Sequence, residues 1–168
     1  MNAVKVFGLT VALGLVLTTA AFAKDMKIAY VDLSRLFDNY QKTKEYDAVL
    51  QKESEVFQKE RDAMVGKIRD AQGKMALLKE DEKQKLQADL DKQKNDVVAY
   101  DNEKRTELGR KRDAKVREIL LEIEKIVSGI AKQEGYDYIL NDRVLIYGDQ
   151  TQNLTERVLK ALNDGYKK

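Results

Sequence analysis

Apolar residues recur every seven positions through the middle of the chain, as they do in a coiled coil. Five of them form one series, and four positions lie four residues after members of that series: Leu50, Phe57, Met64, Ala71 and Leu78, then Ser54, Arg61, Ile68 and Met75. This pattern predicts a long helix that buries one narrow stripe. A second amphipathic run follows the first: Leu86, Leu90, Val97, Tyr100 and Leu108.

The wholly charged stretch 79–83 separates the two runs and predicts a fold-back near Asp81 and Glu82. If the chain folds back there, residues that face each other across the hairpin have numbers that sum to about 164 or 165. This register gives five apolar pairs: Leu78 with Leu86, Met75 with Leu90, Ile68 with Val97, Met64 with Tyr100, and Phe57 with Leu108. Five matches from one register favour an antiparallel helical hairpin over a single rod. The same register places Arg61 opposite Lys104 and Ser54 opposite Lys111, which predicts a looser seam near the base of the hairpin.

The segments that flank the hairpin have a different pattern. Residues 27–31 indicate a strand, and Asp32 is placed to cap a helix. The returning helix becomes apolar from Val116 and is expected to end at Gly135. Residues 136–140 and 144–147 indicate two more strands, and Asn153 opens a final helix. The predicted fold class is α+β, mostly α. A β-containing body is formed by 24–40 plus 116–168, and a hairpin arm by 41–115 with its tip near 79–83.

The first 23 residues are typical of an export signal. Lys5 is the only charge, residues 6–17 are apolar, and the segment ends in Ala21-Phe22-Ala23. A membrane span would need about 20 apolar residues. We therefore expect a signal peptide that is cleaved after Ala23. The mature chain would have 145 residues, 30 of them basic and 29 acidic.

The amino-acid composition excludes several kinds of functional site. The chain has 36% charged residues and no proline, cysteine or histidine. Disulfides, Cys/His zinc sites and histidine acid–base catalysis are excluded, and we expect neither an enzyme nor a cofactor. A net charge of +2 opposes nucleic-acid binding. A body of roughly 70 residues without disulfide or metal predicts self-association.

Both ends of the mature chain resemble a known family. The matching segments are Lys27–Leu33, Leu36-Phe37, Gly135–Asn141, Val144–Gly148 and Asn153–Leu159. They are similar to the Skp/OmpH family of periplasmic chaperones. The resemblance implies a homotrimer in which strands of three subunits form a small β-body and three arms surround a cavity. It also implies an ATP-independent holdase that carries unfolded outer-membrane β-barrel proteins, its clients, across the periplasm.

Three sets of residues are candidates for these roles. Strand residues expected in the oligomeric body are Ile28, Tyr30, Ile139, Leu145 and Tyr147. Apolar residues off the seam, which would contact clients or else pack locally, are Val56, Ala63, Val65, Leu77 and Val98. Seven basic residues lie within fourteen positions of the return helix: Lys104, Arg105, Arg110, Lys111, Arg112, Lys115 and Arg117.

The basic cluster has two interpretations. It is a solvated helix face with partners four residues away, or it contacts acidic client segments, anionic phospholipid or lipopolysaccharide phosphates, as the resemblance implies. The whole chain also has an alternative function, that of a structural coiled-coil spacer or adaptor of the cell envelope. A spacer would favour a regular seam and few apolar residues outside it.

Overall fold

The computed structural model describes residues 25–166 and consists of a long helical hairpin attached to a small body. The elements are β1 (Ile28–Val31), α1 (Leu33–Asn39), α2 (Gln41–Met75), α3 (Glu80–Glu134), β2 (Tyr138–Asn141) and α4 (Thr155–Gly165). Short 3₁₀ turns occupy Asp142–Val144 and Gln150–Gln152. The predicted fold class, α+β and mostly helical, is confirmed. The predicted signal peptide lies outside the described residues.

The body packs three helices against a two-stranded parallel sheet. β1 and β2 pair with Ile28 opposite Tyr138 and Val31 opposite Asn141. The base of α3, α1 and α4 supply most of the remaining core, and the buried residues are Ala29, Val31, Leu36, Tyr40, Ile119, Ile123, Ile130, Leu154, Val158 and Leu162. Both ends of the chain therefore contribute to one small core around the base of the hairpin.

Helix ends in the body follow the local signals in the sequence. The Asp32 carboxylate accepts a 2.8 Å hydrogen bond from the Arg35 amide and caps α1. Gly135 ends α3 with a φ of 70°, the left-handed conformation that favours glycine. At α4 the Asn153 side chain accepts from the Thr155 amide at 2.9 Å, and the Thr155 hydroxyl accepts from the Asp32 amide at 2.8 Å. These bonds join the start of α4 to the end of β1.

The predicted seam is present along the hairpin. All nine positions of the first series are buried or half-buried, as are the five of the second run. Phe57 and Leu90 are the most enclosed. No helix within residues 25–166 has a stretch long and apolar enough to cross a membrane.

The turn of the hairpin lies at residues 76–79, before most of the predicted tip at 79–83. Residues 80–83 belong to the first turn of α3 because three carboxylates there interact favourably with the positive end of the helix. The Glu82 side chain also accepts from the Lys79 amide at 3.2 Å. Leu77, which precedes this cap, is left on the surface of the turn.

Contacts across the hairpin correct one predicted layer. Arg61 pairs with Asp101 at 3.1 Å, whereas the predicted register placed it opposite Lys104. Lys104 pairs with Glu107 on its own helix. Lys111 reaches Glu53, next to its predicted neighbour Ser54, at 2.9 Å. The polar layers are thus closed by ion pairs between the two helices and along α3.

The strand predicted at 144–147 does not form within the single chain. Residues 142–144 make a 3₁₀ turn, and residues 145–147 have no strand structure. The side chains of Val144, Ile146 and Tyr147 are exposed. A strand requires a hydrogen-bonded neighbour, and β1 already pairs with β2 and, through Tyr30, with Asn153. The segment therefore has β propensity but pairs with neither strand of the sheet.

Candidate client-binding site

The base of the hairpin is held by a half-buried polar cluster around Lys42. Its ammonium pairs with Glu118 at 2.6 Å and with Glu122. Glu122 also accepts a 3.0 Å hydrogen bond from the Tyr40 hydroxyl. The ring of Tyr40 packs edge-on against Tyr166, with ring centres 5.7 Å apart. α2, α3 and the body are therefore fastened together at one point.

The pKa values at this point reflect both burial and pairing. Burial, followed by the hydrogen bond to Glu122, raises the pKa of Tyr40 to about 12. Burial alone would lower the pKa of Lys42, but hydrogen bonds to Glu118 and Glu122 outweigh it and raise that pKa. Hydrogen bonds from Lys115 and Lys42 lower the pKa of the Glu118 carboxyl. All three groups keep their ordinary charge states at neutral pH.

The five apolar candidates occupy different places on the arm. Val56 and Val98 have similar exposed fractions, 55% and 59%, and Ala63 is also exposed. Leu77 is 86% exposed at the turn. Val65 is half-buried against the seam. Four of the five are thus available to another molecule, and their contact with clients stays a prediction.

The hairpin has two lateral sides that differ in chemistry. A groove beside Phe57 on one side is lined by Val56, Tyr100 and six charged or apolar neighbours: Glu53, Glu60, Lys104, Glu107, Leu108 and Lys111. A groove on the opposite side is lined by polar residues at its rim: Ser54, Gln58, Arg61, Asp62 and Arg105. We call these the Val56 side and the Val98 side. Val98 belongs to the second because it lies seven residues before Arg105, on the same face of α3.

The basic cluster is largely neutralised by neighbouring carboxylates. Four of its members form ion pairs of 2.6–3.0 Å: Lys104, Arg105, Lys111 and Lys115. Hydrogen bonds to Glu53 and Glu107 raise the pKa of Lys111. Within residues 25–166, the remaining three form no ion pair: Arg110, Arg112 and Arg117. These exposed arginines are the part of the cluster that is available to an anionic partner.

The candidate body residues are split between core and surface. Tyr30 is buried and its hydroxyl donates a 3.4 Å hydrogen bond to the Gly148 carbonyl. A Cβ atom at Gly148 would lie 2.7 Å from the Tyr30 ring, so the loop can close over this ring only with glycine there. Ile139 and Leu145 are half-buried, whereas Ile28 and Tyr147 are exposed.

Sequence reasoning missed several exposed apolar residues. Val49 lies on the Val56 side with 52% exposure, seven residues before Val56. Leu121 and Ile146 are exposed near the body. The signal for Val49 was present, because Val49, Val56 and Ala63 recur every seven residues one position before the seam series. The geometry thus describes a class of protein that presents a long, two-sided helical arm from a small α+β body.

Comparison with known proteins identifies the family. A family model described as outer membrane protein (OmpH-like) matches residues 27–162. The chaperone protein Skp of Yersinia enterocolitica is 30% identical over 158 residues, covering 90% of this chain and 94% of that protein. Skp of Vibrio cholerae is 27% identical over 163 residues, covering 90% and 95%. The chain therefore belongs to the OmpH family, and the predicted resemblance is confirmed.

A solved structure supports the same fold. An OmpH-like protein from Caulobacter crescentus CB15 superimposes with a TM-score of 0.72 over 84% of this chain and 86% of that chain. Its sequence is 15% identical, so the match concerns the fold alone.

Proposed function

We propose that this chain is an ATP-independent holdase of the periplasm that encloses unfolded outer-membrane β-barrel proteins between the arms of a homotrimer. The Skp relatives, about 30% identical over most of the chain, make it a periplasmic chaperone of outer-membrane proteins, and that prediction is confirmed. The family is one of chaperones rather than enzymes. Enclosure, the trimer and the contact residues are the parts that we add.

The observation that carries the proposal is the exposure of apolar side chains outside the seam of the arm. Val49, Val56, Val98 and Leu77 are all more than half exposed on a hairpin whose seam is already filled. A structural spacer needs none of them. An unfolded membrane strand, which alternates apolar and polar residues, exposes segments prone to aggregation in water. Several weak apolar contacts along the arms would cover such segments.

The dimensions of the arm suit enclosure. α2 has 35 residues, so it extends about 50 Å at 1.5 Å per residue. Contacts distributed over such a length, from three arms, add as multivalent binding without any single tight site. The client is then released when a better partner, such as the outer-membrane assembly site, takes it over.

Support for self-association comes from the body. Its core is small, and apolar residues remain exposed around the unpaired segment 144–147, including Tyr138, Ile146 and Tyr147. Pairing of that segment with another subunit would bury them. We expect the mature chain to sediment as a trimer, and a stable monomer at micromolar concentration would contradict the proposed architecture.

Export and lipid contact belong to the same proposal. We expect the signal peptide to be cleaved after Ala23, which N-terminal sequencing of the periplasmic protein would test. Binding of anionic phospholipid or lipopolysaccharide phosphates stays a prediction. Arg110, Arg112 and Arg117 are the groups available for it, because the rest of the basic cluster is paired.

Light scattering during dilution of an outer-membrane barrel protein from urea tests the holdase directly. With no nucleotide present, one trimer per barrel chain is expected to suppress the scattering. Unchanged scattering at a threefold excess of trimer would contradict the holdase and favour an envelope spacer.

A further inference from the structure

We propose that each arm contacts its client through the Val56 side, and that the Val98 side faces away from the client. This inference rests on the proposed holdase function and names the surface that performs it. The occupant is an extended segment of an unfolded outer-membrane protein that carries apolar and acidic side chains.

The two sides differ first in the continuity of their apolar surface. On the Val56 side, Val49, Val56 and Ala63 are all exposed and follow one another at seven-residue intervals on one face of α2. On the opposite side, Val98 and Val65 lie on different helices. The positions seven residues away from each of them are polar: Asp91, Arg105, Gln58 and Gln72. Only the Val56 side therefore offers an apolar stripe.

The grooves of the hairpin make that stripe a continuous surface. One groove contains Val56, and the next, nearer the body, contains Val49 with Tyr46 and Ala114. Glu53 and Lys111 line both grooves and pair with each other at 2.9 Å. An extended chain could thus pass from one groove to the other over a neutralised ion pair.

The charged residues along the Val56 side indicate which client segments it can bind. Arg110 lies beside Glu103, Glu107 and Lys111 at the α3 edge of the Val56 side, and Arg117 follows it by seven residues. Neither forms an ion pair within residues 25–166. Arg112, the third unpaired arginine, lies seven residues after Arg105 and so belongs to the Val98 side. The apolar stripe is therefore bordered by two cations that a client carboxylate can approach.

The spacing of the stripe explains how it could accept many sequences. Residues seven apart on a helix lie about 10.5 Å from each other. Side chains on one face of an extended strand repeat at about 6.7 Å. Because the two repeats do not match, no single register is locked, and a client is selected for its composition rather than its sequence.

Single-thiol variants test the assignment, since the natural chain has no cysteine. V56C and V98C place thiols at positions of nearly equal exposure, so that each serves as a control for the other. Their alkylation rates are measured with and without a urea-diluted acidic barrel protein. We expect the client to slow alkylation of V56C about tenfold, which corresponds to nine-tenths coverage, and that of V98C less than about twofold.

Three results would overturn the inference while leaving the holdase intact. They are equal protection of both thiols, stronger protection of V98C, and no protection of either thiol under conditions that suppress scattering. Failure of the unaltered protein to suppress scattering would instead overturn the holdase and, with it, this inference. Helical content and sedimentation of both variants are compared with the unaltered protein.

Paired substitutions provide an independent measurement. V49S/V56S should raise the chaperone concentration for half-suppression about tenfold, whereas V65S/V98S should change it less than about twofold. R110Q/R117Q should weaken retention of an acidic client more than R105Q/R112Q does. Equal effects of the valine pairs would overturn the surface, and equal effects of the arginine pairs would overturn its preference for acidic clients.

Discussion

Replacing Lys42 with glutamine should loosen the base of the arm. Lys42 is mostly buried and contacts both Glu118 and Glu122. Without its ammonium, Glu122 loses its cation and lies one helical turn from Glu118, which keeps only Lys115 as a cationic partner. Lys44 provides a matched control, because it is exposed on the same helix and forms no ion pair within the described part of the chain.

The magnitude follows from the contacts that are lost. A hydrogen bond to a charged group contributes about 1.5–3 kcal/mol. Both carboxylates are partly exposed and can bind water instead, so the stability lost with the two contacts together should lie near the lower end of this range. Repulsion between the two carboxylates adds a few tenths of a kcal/mol. We expect K42Q to lower the free energy of unfolding by about 2 kcal/mol, which is a drop in Tm of about 6 °C.

Thermal and urea unfolding followed by circular dichroism would measure this loss. Since pairing holds the pKa of Glu118 below its ordinary 4.5, its stabilising contribution is present above that pH and is lost as the pH falls through its folded-state pKa. The difference between K42Q and the unaltered protein should therefore shrink below pH 4.5. A K42Q loss no larger than that of K44Q at pH 7, below about 0.5 kcal/mol, would refute the reasoning.

Five further substitutions, in three sets, test the arm and the body by equilibrium unfolding. G66A and G73A should each stabilise the protein by about 1 kcal/mol, because both glycines are helical and an added Cβ meets no atom within 4 Å; a loss of stability would contradict this. L90A should cost about 2–5 kcal/mol, whereas L77A at the exposed turn should cost less than about 0.5 kcal/mol. G148A should destabilise the body, because its Cβ would clash with the buried tyrosine ring of β1; unchanged stability would show that the loop can move aside.

The buried seam of the hairpin could be predicted because it follows from the seven-residue repeat alone. Positions seven residues apart stay on one face of a helix whatever its partner is, so Leu50, Phe57 and Met64 lie on the buried face as expected. Placing the turn was harder. The run of charges at 79–83 has a composition typical of a turn, but its acidic residues also favour the first turn of a helix. In the structure residues 80–83 begin α3.

Features that depend on a partner could not be predicted from one sequence. Residues 144–147 have strand propensity, but propensity does not supply a neighbouring strand. The division of the arm into two sides could not be predicted either. The side on which Val56 or Val98 lies depends on how α2 and α3 are rotated against each other. Ion pairing of Lys111 with Glu53 likewise depends on how the two helices pack against each other.

Sedimentation of the chaperone mixed with a urea-diluted outer-membrane barrel protein would test enclosure most directly. We predict a soluble complex of three copies of this chain and one unfolded barrel chain, formed without nucleotide. A barrel protein that pellets while the chaperone sediments alone would contradict enclosure of a client between the arms.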